Sequence, residues 1–324
     1  MANRVPLVQI SSRAWEHPAD RAALNTLRAI PGFDEIVRKV AGFFGERGIR
    51  QLFLGDAVKV TASQRPNMNV MWTEVLETLD WPERPELYVT QTPIANAMAV
   101  GFDKPFVVVH SGLFEVLDEE ELRSVLGHEL GHIMSGHPTY TTIAIILLYF
   151  GVSNLPFLAA AALLPFQLAL LEWSRKSEFS SDRAGLLVTQ DLNTTMSAEM
   201  KLAGGKAYGD TLRVEEFIRQ AEQYETGGDA WDTVLKILNT VMRTHPMHTV
   251  RAAELLRWQR GGGYDKILAG DYLRRGQGDA DQPLKEDYVD AAGYYGDKTR
   301  ATVNQFKDGL SRAADAVSSA WRNR

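Results

Sequence analysis

Residues Glu119 to His137 read EEELRSVLGHELGHIMSGH, and the central His128-Glu129-Leu130-Gly131-His132 decides how the chain is read. The pattern is His-Glu-x-x-His. On a helix, side chains four residues apart lie one turn above each other on a single face. Two imidazoles so placed can converge on one Zn²⁺, with Glu129 beside them to take a proton from a water. The flanks predict that helix. Asp118 is an N-cap type with Glu121 three residues on, as in a capping box, and the acidic first turn suits the helix dipole. Leu122, Val125, Leu126, Leu130 and Ile133 then recur at helical spacing as a core-facing stripe. A buried helix with two satisfied core histidines is the plainer reading of the same residues.

A catalytic zinc usually has three protein ligands and an open fourth position. The extended pattern HExxHxxGxxH does not fit here, because Gly136 and His137 are out of its register. His137 therefore reads as a helix-end residue or a partner behind a ligand. Glu178, in Ser174 to Gly185, is the best candidate for the third ligand. Asp182 lies four residues on and shares its helix face, where it can accept the spare N–H of a ligating imidazole. A charged helix face turned to water has the same local pattern.

HELGH followed by an apolar stretch and then Glu-x-x-x-Asp resembles the HtpX and CAAX-prenyl-protease type of zinc metallopeptidase, family 48, within the gluzincins. Three further segments resemble the family in order: Ile94 to Gly101, His110-Ser111-Gly112-Leu113, and Thr244-His245-Pro246 with Arg251. Together they cover roughly residues 20 to 257. The resemblance implies an α+β, zincin-like (gluzincin) domain, mostly helical with a small sheet that bears an edge strand. It implies one Zn²⁺ per chain on His128, His132 and Glu178, with Glu129 as general base. His245 is implied as a donor to the oxyanion, and Arg251 as a residue orienting His245 or the Glu178 helix. The implied reaction is hydrolysis of internal peptide bonds. The segment Asn96, Ala97, Met98 and Ala99 is implied as an edge strand that pairs with an extended peptide substrate. A catalytically silent or latent zinc-binding scaffold at a membrane is the alternative, but such a scaffold needs no general base.

The 324 residues suffice for one large domain with an appendage, and a net charge of −6 argues against nucleic acid as a partner. There is no cysteine, hence no disulfide and no thiolate ligand. Met1 to Asp20 has no apolar run of signal-peptide length, so the start of the chain is expected to be cytoplasmic.

Two helices are predicted over residues 19 to 46, parted at Pro31-Gly32. Short strands are expected at Leu52 to Leu54, Val58 to Val60, Leu87 to Val89 and Pro105 to His110, with a helix over 68 to 79. Helices are expected again at Trp173 to Val188, Met196 to Leu202, Val214 to Tyr224, Ala230 to Met242 and Tyr264 to Arg274.

Pro138 to Leu171 contains no charged residue, and Pro165 is expected to interrupt its second half. Two readings stay open for this hydrophobic helical hairpin insert: contact with the inner face of a membrane, or burial within the fold. Its halves are too short and broken for a clear span, although relatives in the family place membrane helices here. The domain is expected to occupy 1–260. A C-terminal extension, 261–324, is expected to hold a linker and an amphipathic helix over 298–322, which can dock on the domain, on a partner or on a membrane surface.

Overall fold

In a computed structural model of the chain, the structure describes residues 4–148, 157–206, 211–226 and 245–277. The expected helices at 230–242 and 298–322, and most of the linker before the latter, lie outside the described residues.

The order of elements is helix-rich. A 3₁₀ turn (Ser12–Ala14), α1 (Pro18–Arg28) and α2 (Phe33–Leu54) lead to β1 (Ala57–Lys59), α3 (Pro66–Thr78) and β2 (Glu86–Thr90). β3 (Ala97–Val100) and β4 (Phe106–His110) complete the strands. Then come α4 (Gly112–Val116), α5 (Glu119–Met134), α6 (Pro138–Ile146) and α7 (Phe157–Thr189). α8 (Leu192–Gly204), α9 (Val214–Thr226), α10 (His248–Arg260) and α11 (Gly263–Leu268) finish the described chain. The fold is thus α+β: mostly helix with one small mixed sheet.

The sheet runs β1-β2-β4-β3. β2 and β4 are parallel, whereas β1 pairs antiparallel with β2 and β3 antiparallel with β4. β3 pairs Ala97 with Val109 and Ala99 with Val107, and among the described residues its other side is an edge. The central strands are buried on both faces, which explains the unbroken apolar run Phe106 to Val109 in place of an alternating one.

Three expectations change. Leu52 to Leu54 is the end of α2, not a strand: a three-residue apolar run has no period of its own, and here it continues the preceding helix. Pro165 does not interrupt α7, which runs continuously from Phe157 to Thr189. A proline removes one hydrogen bond, a loss that a 33-residue helix with a tightly packed C-terminal half can absorb. The helix expected over 264–274 stops at Leu268. Beyond it, Arg274 bridges to Ile10, and Arg275 donates its N–H to Gln9 O at 2.7 Å, so the last described residues pack against the first.

α5 and α7 form the centre of the molecule. The capping box is formed: Asp118 accepts from Glu121 N–H, and Glu121 accepts from Asp118 N–H, both at 2.9 Å. Leu122, Leu126, Leu130 and Ile133 are buried with Leu186, Leu187 and Val188 in the main core. The two helices touch through small residues. An ideal Cβ on Gly131 would stand 2.5 Å from Ala184 Cβ, and one on Gly185 would stand 2.8 Å from Ser124 O. No side chain fits at either point, and this close approach lets short carboxylates on α7 reach the imidazoles on α5.

Candidate metal centre

α5 delivers His128 and His132, one turn apart and both buried, with their Nε2 atoms 3.0 Å from each other. α7 delivers Glu178, whose carboxylate lies 3.5 Å from His128 Nε2 and 3.3 Å from His132 Nε2. One donor atom from each of these three side chains falls within 4.8 Å of the others, the compactness that a single ion requires. Glu178 is 2% exposed, and its Oε2 has no hydrogen-bond partner among the described residues. Arg251 Nη1 stands 3.5 Å from that oxygen without a hydrogen bond to it, so the buried charge is only partly compensated, and a cation held between the three side chains would complete the compensation. Two imidazoles and one carboxylate therefore fit a divalent ion such as zinc, and with no thiolate in the chain they do not suit a soft, sulfur-loving metal.

Each imidazole is held from behind. Asp182, one turn after Glu178, lies 3.0 Å from His128 Nδ1. Asp182 is itself gripped by Arg251 of α10, with Nε donating to Oδ2 at 2.9 Å and Nη2 to Oδ1. Arg251 also meets Glu199 of α8 at 3.2 Å, and Glu199 meets His248 Nδ1 at 2.8 Å. Behind His132, its Nδ1 lies 2.9 Å from His137 Nδ1.

Burial raises the cost of every charge here, and the neighbours decide which charges persist. For His128, burial pulls the imidazole down, but Asp182 and Glu178 outweigh it and lift the group to about 10. For His132, burial dominates over the help of Glu178, and the group falls to about 4. Burial pushes Glu178 up, yet the nearby His245, His128 and His132 hold it well below the ordinary carboxylate range. Burial pushes Asp182 the same way, and Arg251 overcomes it to hold the carboxyl at about 2. Burial lifts Glu129 to about 7, with Glu178 adding to it and His128, Arg251 and the Ala99 backbone opposing.

Glu129 lines the same cavity as His128, Glu178 and Asp182, a space of about 220 Å³. Asn96 and Ala97 form one wall, and Leu113, Val125, Ala198 and Leu202 supply its apolar lining. Glu129 Oε2 is buried without a hydrogen-bond partner among the described residues. His245 stands at the rim, 48% exposed, with Nε2 3.6 Å from Glu178 Oε1. The structure thus gathers His128, Glu129, Glu178, Asp182, Asn96, Ala97, His245 and Arg251 around one space, and His132 adjoins it through His128 and Glu178. Ala99 reaches it through its backbone beside Glu129. Met98 alternates to the opposite face of β3 and packs with Val108 and Phe106.

Two participants carried no signal in the sequence reading. Glu199 sits on a helix whose local pattern says only that it is amphipathic, and its role as the second carboxylate on Arg251 is set by tertiary packing. Asp20 lies more than a hundred residues before its partner His137.

The sequence model of Peptidase family M48 matches residues 62–259. Among curated proteins, the chain is 35% identical over 260 residues to the plastoglobule-localized metallopeptidase 48, chloroplastic, of Arabidopsis thaliana, covering 78% of this chain and 74% of that one. It is 28% identical over 240 residues to protease HtpX homolog 2 of Methanosarcina mazei, covering 64% and 78% respectively. The corresponding figures for a protease HtpX homolog of Helicobacter pylori are 26% over 211 residues, 57% and 68%. No solved structure matches the chain.

Proposed function

The chain belongs to peptidase family M48 and is a metallopeptidase, a hydrolase of peptide bonds, and from that premise we propose that His128, His132 and Glu178 hold one Zn²⁺ per chain in a zincin-like (gluzincin) site that cuts internal bonds of proteins. The observation that carries this reading is the convergence of those three donors on one point, with a buried carboxylate, Glu129, at its side.

Zinc, when bound, supplies an acidified water and a positive charge that polarises the scissile carbonyl. The chain's own groups do the rest. With the Nε2 proton of His128 displaced by a bound cation, Asp182 accepts from its Nδ1–H, fixing the tautomer whose Nε2 lone pair faces the site, and Arg251 keeps Asp182 ionised to do so. Glu129 takes a proton from the attacking water and returns it to the leaving amine. His245, at the open rim, donates to the oxyanion as it forms. β3 lends its free edge to the substrate. An extended peptide adding to that edge exchanges main-chain hydrogen bonds with Ala97 and Ala99, next to Asn96, and lies across Glu129.

In the same reading residues 1–260 form the catalytic domain, and the start of the 261–324 extension packs on it, with Tyr264 and Ile267 buried in the main core. Among the described residues, no helix is long and apolar enough to cross a membrane. Of the 138–171 stretch, Ile143, Ala144, Ile146, Leu147, Leu170 and Leu171 are buried within the fold, while exposed Leu164 and Leu168 on α7 offer a contact to a lipid surface on the cytoplasmic side, a reading that the plastoglobule location in one relative's name also supports.

The test of the ligand set is metal binding by Glu178→Ala. Zinc affinity is expected to fall by two or more orders of magnitude in a folded protein. Parent-like affinity would assign the third position to another residue.

A further inference from the structure

His132 is held by a chain of hydrogen bonds that begins outside the residues matched by the family. Gly136, at φ 70°, closes α5 and turns the chain so that His137 comes to rest behind His132, with Nδ1 2.9 Å from Nδ1. His137 Nε2 lies 3.1 Å from Asp20 Oδ2. Asp20 is in the first turn of α1 and is 2% exposed. It also accepts from two side chains of α7, Trp173 Nε1 at 3.0 Å on Oδ1 and Ser180 Oγ at 2.6 Å on Oδ2. The His137 ring is set edge-on against both Trp173 and His132, with centroids 5.5 and 5.2 Å away, so its orientation is fixed on two sides.

With His137 neutral, the chemistry of these atoms sets the direction of every bond. An ionised aspartate only accepts, so His137 presents Nε2–H to it. A neutral imidazole with its proton on Nε2 has a bare lone pair on Nδ1. Only a proton on His132 Nδ1 satisfies that lone pair, and this leaves His132 Nε2 bare, facing Glu178 at 3.3 Å. We propose that Asp20 is a positioning residue of the metal centre, acting through His137 to select the Nδ1–H tautomer of His132 and aim its Nε2 lone pair at the ion. Asp20 does for His132 at one remove what Asp182 does directly for His128. The inference rests on the reading of His132 as a ligand. One consequence is that a fragment trimmed to the family-matched residues lacks this support.

The test combines ring tautomers with metal affinity in the full chain. Proton–nitrogen correlation spectra of histidine-labelled, chelator-stripped parent protein are expected to show His132 as the Nδ1–H tautomer; the Nε2–H tautomer would overturn the proposal without any variant. Asp20→Leu keeps the shape and removes the acceptor, while His137→Phe keeps the ring and leaves Asp20 its bonds to Trp173 and Ser180. In chelator competition both are expected to bind zinc about 10–100-fold more weakly than the parent, and His137→Gln, which offers both an acceptor and a donor, to recover most of that loss. Should Asp20→Leu fail to fold, His137→Phe and the parent tautomer still decide. Parent-like affinity in His137→Phe would overturn the proposal. His132→Ala separates the ligand role of His132 from the positioning role of Asp20. If it keeps zinc, the ligand reading itself fails; if it loses zinc while the Asp20 and His137 variants do not, only the positioning role fails.

Discussion

Gly131 of α5 and Ala184 of α7 meet so closely that a methyl group on Gly131 would lie 2.5 Å from Ala184 Cβ. The position is one residue before His132 and two after Asp182, so this contact sets the distance between the two halves of the candidate site. Gly131→Ala gains about 1 kcal/mol in helix propensity. Overpacking a tight helix interface costs about 1–3 kcal/mol, and the clash is expected to prevail. The variant should melt several degrees lower and bind zinc more weakly. Adding Ala184→Gly, which removes the opposing methyl, should restore much of the zinc affinity; no recovery in the double variant would mean that the contact does not govern the spacing.

Arg251 stands between two buried carboxylates, Asp182 and Glu199. Arg251→Met preserves much of the stem but leaves both acids without their cation. Breaking a buried pair by removing one partner costs about 3–5 kcal/mol. Chemical denaturation should show a loss of that order, together with weaker zinc binding as Asp182 loses its anchor. A variant as stable as the parent would show that the two acids are otherwise compensated.

Glu86 gives the sheet a pH dependence. It begins β2 and is paired with Lys59 and Arg50, while Tyr88 Oη donates to it at 3.1 Å. Burial works against ionisation, but Lys59 and Arg50 hold the carboxyl at about 2. Because the folded value lies below the unfolded one, near 4.3, the contribution is complete above the unfolded value and is lost as pH falls toward about 2. The group is about a third exposed, so screening reduces its worth to about 1 kcal/mol. Glu86→Gln should therefore be less stable than the parent at pH 7, and the gap should close between pH 4 and pH 2. A gap of equal size at both ends of that range would trace the effect to packing.

How much of this was legible in the sequence depended on how local each signal was. The α5 and Glu178 helices were readable because i,i+4 pairs and a capping box are local patterns: His128 with His132, Glu178 with Asp182, Asp118 with Glu121. The strands around Val89 and Val108 were readable from β-branched runs. Leu52 to Leu54 was misread as a strand because three apolar residues carry no period, and Pro165 suggested a break that the surrounding helix absorbs. Asp20, Glu199 and the proximity of Gly131 to Ala184 were not readable at all. Each depends on which helices pack together, and no local pattern carries that information. Arg251 lay between: the family resemblance pointed to it, while its grip on Asp182 emerged only in the fold.

The central claim is that Glu129 moves the proton at a metal held by its neighbours. It is tested most directly by measuring zinc content and cleavage of an unfolded protein on the parent and Glu129→Gln, purified identically. Gln keeps the size of the side chain and cannot act as a base, so one zinc is expected in each protein, with a fall in cleavage of at least about 10²-fold in the variant. Equal cleavage by the two proteins would contradict it.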